Sequence, residues 1–67
     1  MTVNERIKAA IEDSGLKQTY IAKNMGVSEP VLSSIINGKR KVSVEDFFAL
    51  CNVLKMPAEQ LWSYEAV

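Results

Sequence analysis

Sixty-seven residues are enough for one domain with a small core, and a hydrophobic content of 48% argues for a folded chain over a disordered one. Lysines and arginines balance the acids at eight each, so the formal net charge is zero. The lack of histidine excludes His-based acid–base catalysis, Ser-His-Asp triads and His metal sites, and the lone Cys51 permits neither an intrachain disulfide nor a Cys-rich zinc site.

The chain opens with Thr2-Val3-Asn4-Glu5, which has the form of a capping box with Thr2 as N-cap and Glu5 reaching back. Val3, Ile7, Ala10 and Ile11 follow at helical spacing and Gly15 supplies a stop, which predicts a first helix over about Val3–Ser14. Leu16 is expected to fold inward from the connection. A second helix is predicted from about Gln18 to Met25 and a third from about Glu29 to Ile36. Ile21 and Met25 are i,i+4 neighbours on one face, and Leu32 and Ile35 are i,i+3 neighbours on another. Gly26 stands between them, where the chain must reverse; glycine takes the positive φ of a helix C′ position at little steric cost. Ala22 is small where two crossing helices must approach. Ser28 is the expected N-cap of the third helix, with Pro30 near its first helical position.

Gly38-Lys39-Arg40-Lys41 reads as a loop. A fourth helix is expected after Ser43, with Asp46 three residues on. Val44, Phe47, Phe48, Cys51 and Leu54 keep helical spacing there and are expected to form the main wall of the core. Cys51 is read as a small buried hydrophobe, not a reactive thiol. Lys55-Met56-Pro57 breaks that helix, and Pro57 pre-sets a short fifth one, about Ala58 to Trp62. Leu61 and Trp62 are assigned chiefly to the core and Tyr64 and Val67 to the surface, and all four are candidates for contacts with a second copy. Glu12-Asp13 and Glu45-Asp46 read as solvated carboxylates. The expectation is an all-α, compact five-helix domain spanning residues 1–67, with no linker to a second domain.

The stretch Gln18–Asn37 carries a longer pattern: Gln18, Ala22 four residues on, Gly26 eight residues on, apolar Ile21, Met25, Val27, Leu32 and Ile35 about the turn, and Asn37-Gly38 at its close. It resembles the helix-turn-helix of the phage repressor and Cro-type (XRE-like) family, and the likeness extends more loosely from about Val3 to Trp62. The resemblance implies a lambda-repressor-like DNA-binding domain with its motif at 18–37, in a small transcriptional regulator of phage or prophage type. It also implies that the N-terminal part of helix 29–36 enters the major groove. With Leu32, Ile35 and Ile36 turned inward, base contacts would fall to Glu29, Ser33 and Ser34, with apolar contact from Pro30 and Val31. Many members of the family have Gln or Arg where this chain has Glu29. That carboxylate has two readings, acceptance from a cytosine amino group or favourable interaction with the helix N-terminus. Phosphate contacts are expected from Gln18 and Thr19 at the start of the second helix, from Ser28 at the start of the third, and from Asn37. The cations Lys39, Arg40 and Lys41 join them, with Lys17 and Lys23 flanking.

Zero net charge and a pI near 6.2 count against a nucleic-acid partner. The distribution restores the idea. Residues 17–41 carry Lys17, Lys23, Lys39, Arg40 and Lys41 against Glu29, a local charge of +4, while the segments before and after carry −1 and −3. A phosphate backbone feels this local field. A domain this small contacts few base pairs, so a homodimer is expected on a palindromic double-stranded operator, either standing or assembled only on the DNA. No cofactor or metal is expected, and no catalysis. One cysteine, no apolar run of membrane-spanning length and no leader-like start point to a cytoplasmic location. The alternative is a protein-interaction module, antitoxin or adaptor, on the same scaffold, which neutral charge and Glu29 would suit.

Overall fold

Five α-helices succeed one another in the computed structural model, which describes residues 1–65: α1 (Val3–Ser14), α2 (Gln18–Met25), α3 (Glu29–Ile36), α4 (Val44–Leu54) and α5 (Ala58–Trp62). The surface role expected of Val67 lies outside the described residues. Local chemistry sets the helix ends. At α1 the Glu5 N–H donates to Thr2 Oγ1 at 3.1 Å while the Thr2 N–H donates to Glu5 Oε1 at 2.8 Å. The Thr2 backbone N–H, together with the Thr2 side chain, holds the Glu5 carboxyl below its ordinary pKa. At α4 the Asp46 N–H donates to Ser43 Oγ at 3.0 Å. α4 also ends without a glycine, because Lys55 takes the left-handed conformation itself at φ 53°. The Met56 N–H closes the turn on the Cys51 carbonyl at 3.0 Å, and Met56 packs on the core, which holds the lysine in a conformation L-residues avoid.

Every helix sends at least one fully buried aliphatic side chain to the centre: Ile7, Ile21, Leu32, Ile35, Leu50 and Leu61. Each such side chain stabilises the fold by about 1.5–3 kcal/mol relative to leaving it in water. α2 lies against α3 and α4, while α1 packs against α3, α4 and α5. Among the described residues no polar or charged side chain is buried, so apolar stripes alone decide which faces turn outward. Cys51 is buried on this core, and burial pushes its thiol pKa up.

The outward faces depart from expectation in several places. The buried stripe of α4 runs through Leu50 and Cys51 with Phe47, Val53 and Leu54 half-buried, whereas Val44 is 72% and Phe48 53% exposed. Phe48 lies about 100° around the helix from Phe47, and a core of this size seats only one of them. Trp62, assigned chiefly to the core, is 65% exposed because its neighbour Leu61 takes the inward position. Leu16 stays exposed in the short connection between α1 and α2. Tyr64 is half-buried, not free on the surface: its hydroxyl donates to Asp13 Oδ2 at 2.6 Å, and Arg6 Nη1 donates to its carbonyl at 2.8 Å. Asp13 is accordingly an anchor for the segment after α5, not simply a solvated carboxylate.

Candidate nucleic-acid interface

The α2–α3 junction is a three-residue turn, Gly26-Val27-Ser28. Gly26 has φ 78°, and its N–H points back to the carbonyls of Ala22 and Lys23. The Val27 N–H also bonds the Ala22 carbonyl, at 3.0 Å, and the Val27 side chain packs on the core. These contacts set the start of α3 relative to α2. Ile21 and Ala22 of α2 are buried, as are Leu32, Ile35 and Ile36 of α3. With that stripe inward, Glu29 and Pro30 at the start of α3 are exposed and Ser33 and Ser34 are half-buried. Val31 is also half-buried and packs partly on the core, so less of it is offered outward than of Pro30.

Lys17, Gln18, Thr19, Ser28, Asn37, Lys39, Arg40 and Lys41 are all exposed, as is Lys23. Two of them sit at helix starts that lack a side-chain cap. Lys17 is the N-cap of α2, and Ser28 has the extended backbone of an N-cap at α3, yet its hydroxyl makes no capping bond. A cap side chain binds the N–H of the second or third helical residue, and Pro30 removes the first of these donors. Free N–H groups therefore remain at the starts of both helices, with the positive ends of their dipoles, where an anion would be favoured.

At the other end of α3 the chain folds back under the helix. The Lys39 N–H donates to the Ser34 carbonyl at 2.9 Å and the Gly38 N–H to the Ile35 carbonyl at 3.1 Å. Asn37 Nδ2 reaches Ser33 Oγ at 3.3 Å, joining one residue expected to meet a phosphate to one expected to meet a base. The cations that follow lie close to the carbonyl end of α3, which its dipole favours. A brace from α1 completes the arrangement. Asn4 Nδ2 donates to the carbonyl of Ile35 and to that of Arg40, both at 2.9 Å, across 31 and 36 residues of chain. The backbone of the basic loop is thereby tied to the end of α3 while Lys39, Arg40 and Lys41 remain exposed. Sequence reasoning gave Asn4 no role. Its one signal was a poor helix former in a first turn whose neighbours already satisfied the capping box.

Residues 7–61 match the family model described as "Helix-turn-helix". Among solved structures, the chain is similar to the restriction-modification controller protein C.AhdI from Aeromonas hydrophila, with a TM-score of 0.80 at 22% identity over 88% of this chain and 89% of that one. At that identity the likeness establishes a common fold. No curated protein sequence matches the chain.

Proposed function

Since the chain belongs to the helix-turn-helix family, as a DNA-binding transcription regulator of the XRE/Cro type, we propose that it reads double-stranded DNA through α3 laid in the major groove. The observation that carries this reading is the pairing of two features on one motif. α3 turns a short polar face outward above a wholly apolar underside, and the exposed cations Lys39, Arg40 and Lys41 are strapped to its end. Glu29, Ser33 and Ser34 then meet base edges, with Pro30 and Val31 against thymine methyl groups. Gln18, Thr19, Ser28 and Asn37 grip phosphates together with Lys17, Lys39, Arg40 and Lys41. The readout side chains are short, so bridging water and DNA shape carry part of the specificity.

The protein acts as a homodimer on a palindromic operator, in a small regulator of phage or prophage type or of the controller kind for which its structural neighbour is named. It works by binding, without catalysis. Selection of bound duplexes from a random pool tests all of this together. The expected product is an inverted repeat whose half-sites lie about 34 Å, one helical turn, apart. Recovery of no enriched sequence at low salt would overturn the reading.

A further inference from the structure

Asn37-Gly38 is exposed at the end of α3, between the outward face of that helix and the cations of the loop. An asparagine followed by glycine carries a chemistry of its own. The next backbone nitrogen can attack the side-chain amide carbon, and only glycine leaves that nitrogen with no side chain beside it. Asn4, Asn24 and Asn52 are each followed by a residue that has one. At Gly38 the place a Cβ would take is open, with no atom beyond the chain neighbours within 4 Å.

The folded chain holds this pair away from reaction. Ring closure needs the Gly38 nitrogen nearly eclipsed with the Asn37 Cβ. Asn37 has ψ 3°, so it must turn by roughly 120°, the step between substituents on a tetrahedral carbon. The Gly38 N–H opposes the turn by donating to the Ile35 carbonyl at 3.1 Å, and the Lys39 N–H by donating to the Ser34 carbonyl at 2.9 Å. Asn37 Nδ2 is itself occupied on Ser33 Oγ at 3.3 Å. Asn4 completes the clamp. Its Nδ2 bonds the carbonyls of Ile35 and Arg40, which bracket the pair, and a turn at Asn37 would swing Arg40 out of reach.

We propose that Asn37 is a self-modification site gated by this clamp: it deamidates when the end of α3 opens, and the product lets go of DNA. The gated chemistry rests on the geometry alone; its consequence rests also on the DNA-binding reading above. In the opened loop the Gly38 nitrogen bonds to Asn37 Cγ, the Cγ–Nδ2 bond breaks, and ammonia leaves with the proton that the Gly38 nitrogen gives up. Water then adds to either carbonyl of the cyclic imide. Addition at Cγ breaks its bond to the Gly38 nitrogen and leaves aspartate. Addition at the main-chain carbonyl breaks the original peptide bond and leaves isoaspartate, with the chain now running through Cγ.

Either product puts a carboxylate where a phosphate contact stood and lowers the charge of residues 17–41 from +4 to +3. The new acid also faces the negative end of the α3 dipole and has lost the amide that donated to Ser33. Isoaspartate further lengthens the main chain just before Lys39. DNA gripped by Asn37 and the loop opposes the opening, so bound copies are spared and idle ones age.

Incubation of the whole chain in mildly alkaline buffer, followed by peptide mass mapping and isoaspartate-specific methylation, tests the gate. The NH₂-to-OH mass gain is expected at Asn37 and not at Asn24 or Asn52, faster in urea than in the folded chain. Asn4→Ala should speed the folded reaction by about 10-fold, as loss of two hydrogen bonds raises the open population. Ser33→Ala, which frees the Asn37 amide, should also speed it and carries the test if Asn4→Ala does not fold. Conversion equally fast in folded and unfolded chain overturns the gate, as does a rate at Asn37 no greater than at Asn24. A random-sequence duplex at low salt should slow the wild-type reaction, and Asn37→Asp should bind that duplex about 10-fold more weakly than the parent. Equal binding by Asn37→Asp would remove the consequence and leave the functional reading standing. Gated conversion in a chain that binds no duplex would do the reverse.

Discussion

α3 and α4 pack on the same core and turn opposite chemistries outward. α3 buries Leu32, Ile35 and Ile36 and exposes Glu29 and Pro30, with two serines half out. α4 buries Leu50 and Cys51 and exposes Val44 and Phe48. The difference lies in how many apolar groups each helix carries relative to what the core can seat. α3 carries little more than one inward stripe, so its other face is polar and suits a hydrated, charged ligand. α4 carries two stripes about 100° apart, and the second is left facing water. The surplus is what sets the two outward faces apart.

The largest effect that would sharpen this contrast comes from the basic loop. Replacing Lys39, Arg40 and Lys41 by alanine should weaken binding to every sequence by about 100-fold and flatten the slope of log K against log salt by up to ~3. Self-association should be unmoved. Fluorescence anisotropy at several salt concentrations reads the slope, and an unchanged slope would detach the loop from the phosphate backbone.

Next comes the brace between the two regions. Asn4→Ala should cost about 1–2 kcal/mol through its two lost hydrogen bonds. That lowers the melting temperature by roughly 4–16 °C for a domain of this size. Asn4→Asp should be no better, because a carboxylate cannot donate to the two carbonyls it would face. A melt equal to the parent for either variant would mean the brace is idle.

A smaller change is expected at the start of α3. Glu29→Gln should alter base preference at one position per half-site and leave the others alone. An unchanged selection profile would remove Glu29 from the readout and leave it as a helix-end charge.

The smallest effect belongs to Tyr64. Its hydrogen bond to Asp13, helped by burial and by the Asp13 charge, raises the phenol pKa above its ordinary value. A raised phenol pKa contributes stability that is complete below the unfolded value of about 10 and is lost as pH rises through the folded one. Tyr64→Phe should therefore melt slightly below the parent at neutral pH, and the gap should close in alkaline solution. A gap that persists there would mean that the Tyr64–Asp13 hydrogen bond is not its source.

Much of the scaffold was legible before any coordinates. Helix boundaries at Ser14, Gln18, Met25, Glu29, Ile36 and Trp62 coincide with expectation, because Thr2, Gly15, Gly26, Pro30, Ser43 and Pro57 act on backbone within a few residues of themselves. The exposure of Glu29 and Pro30 and of the basic loop was legible for the same reason, since it follows from the inward stripe of α3 and from loop composition. The partnership of Asn4 with Ile35 and Arg40 was not, and neither was that of Tyr64 with Asp13. Both join groups more than thirty residues apart, and nothing in spacing names such a partner.

The sequence by itself determined the five helices, the turn at Gly26, the apolar underside of α3 and the concentration of cations in residues 17–41, all of which are local or additive properties. Only the tertiary structure decided which of α4's two apolar stripes went inside, that Trp62 would stand largely in water with its ring edge-on to Phe47, and that Asn4 would tie the basic loop to the end of α3. Those outcomes depend on competition among all five helices for one small core volume, and such a competition has no local signature in the chain.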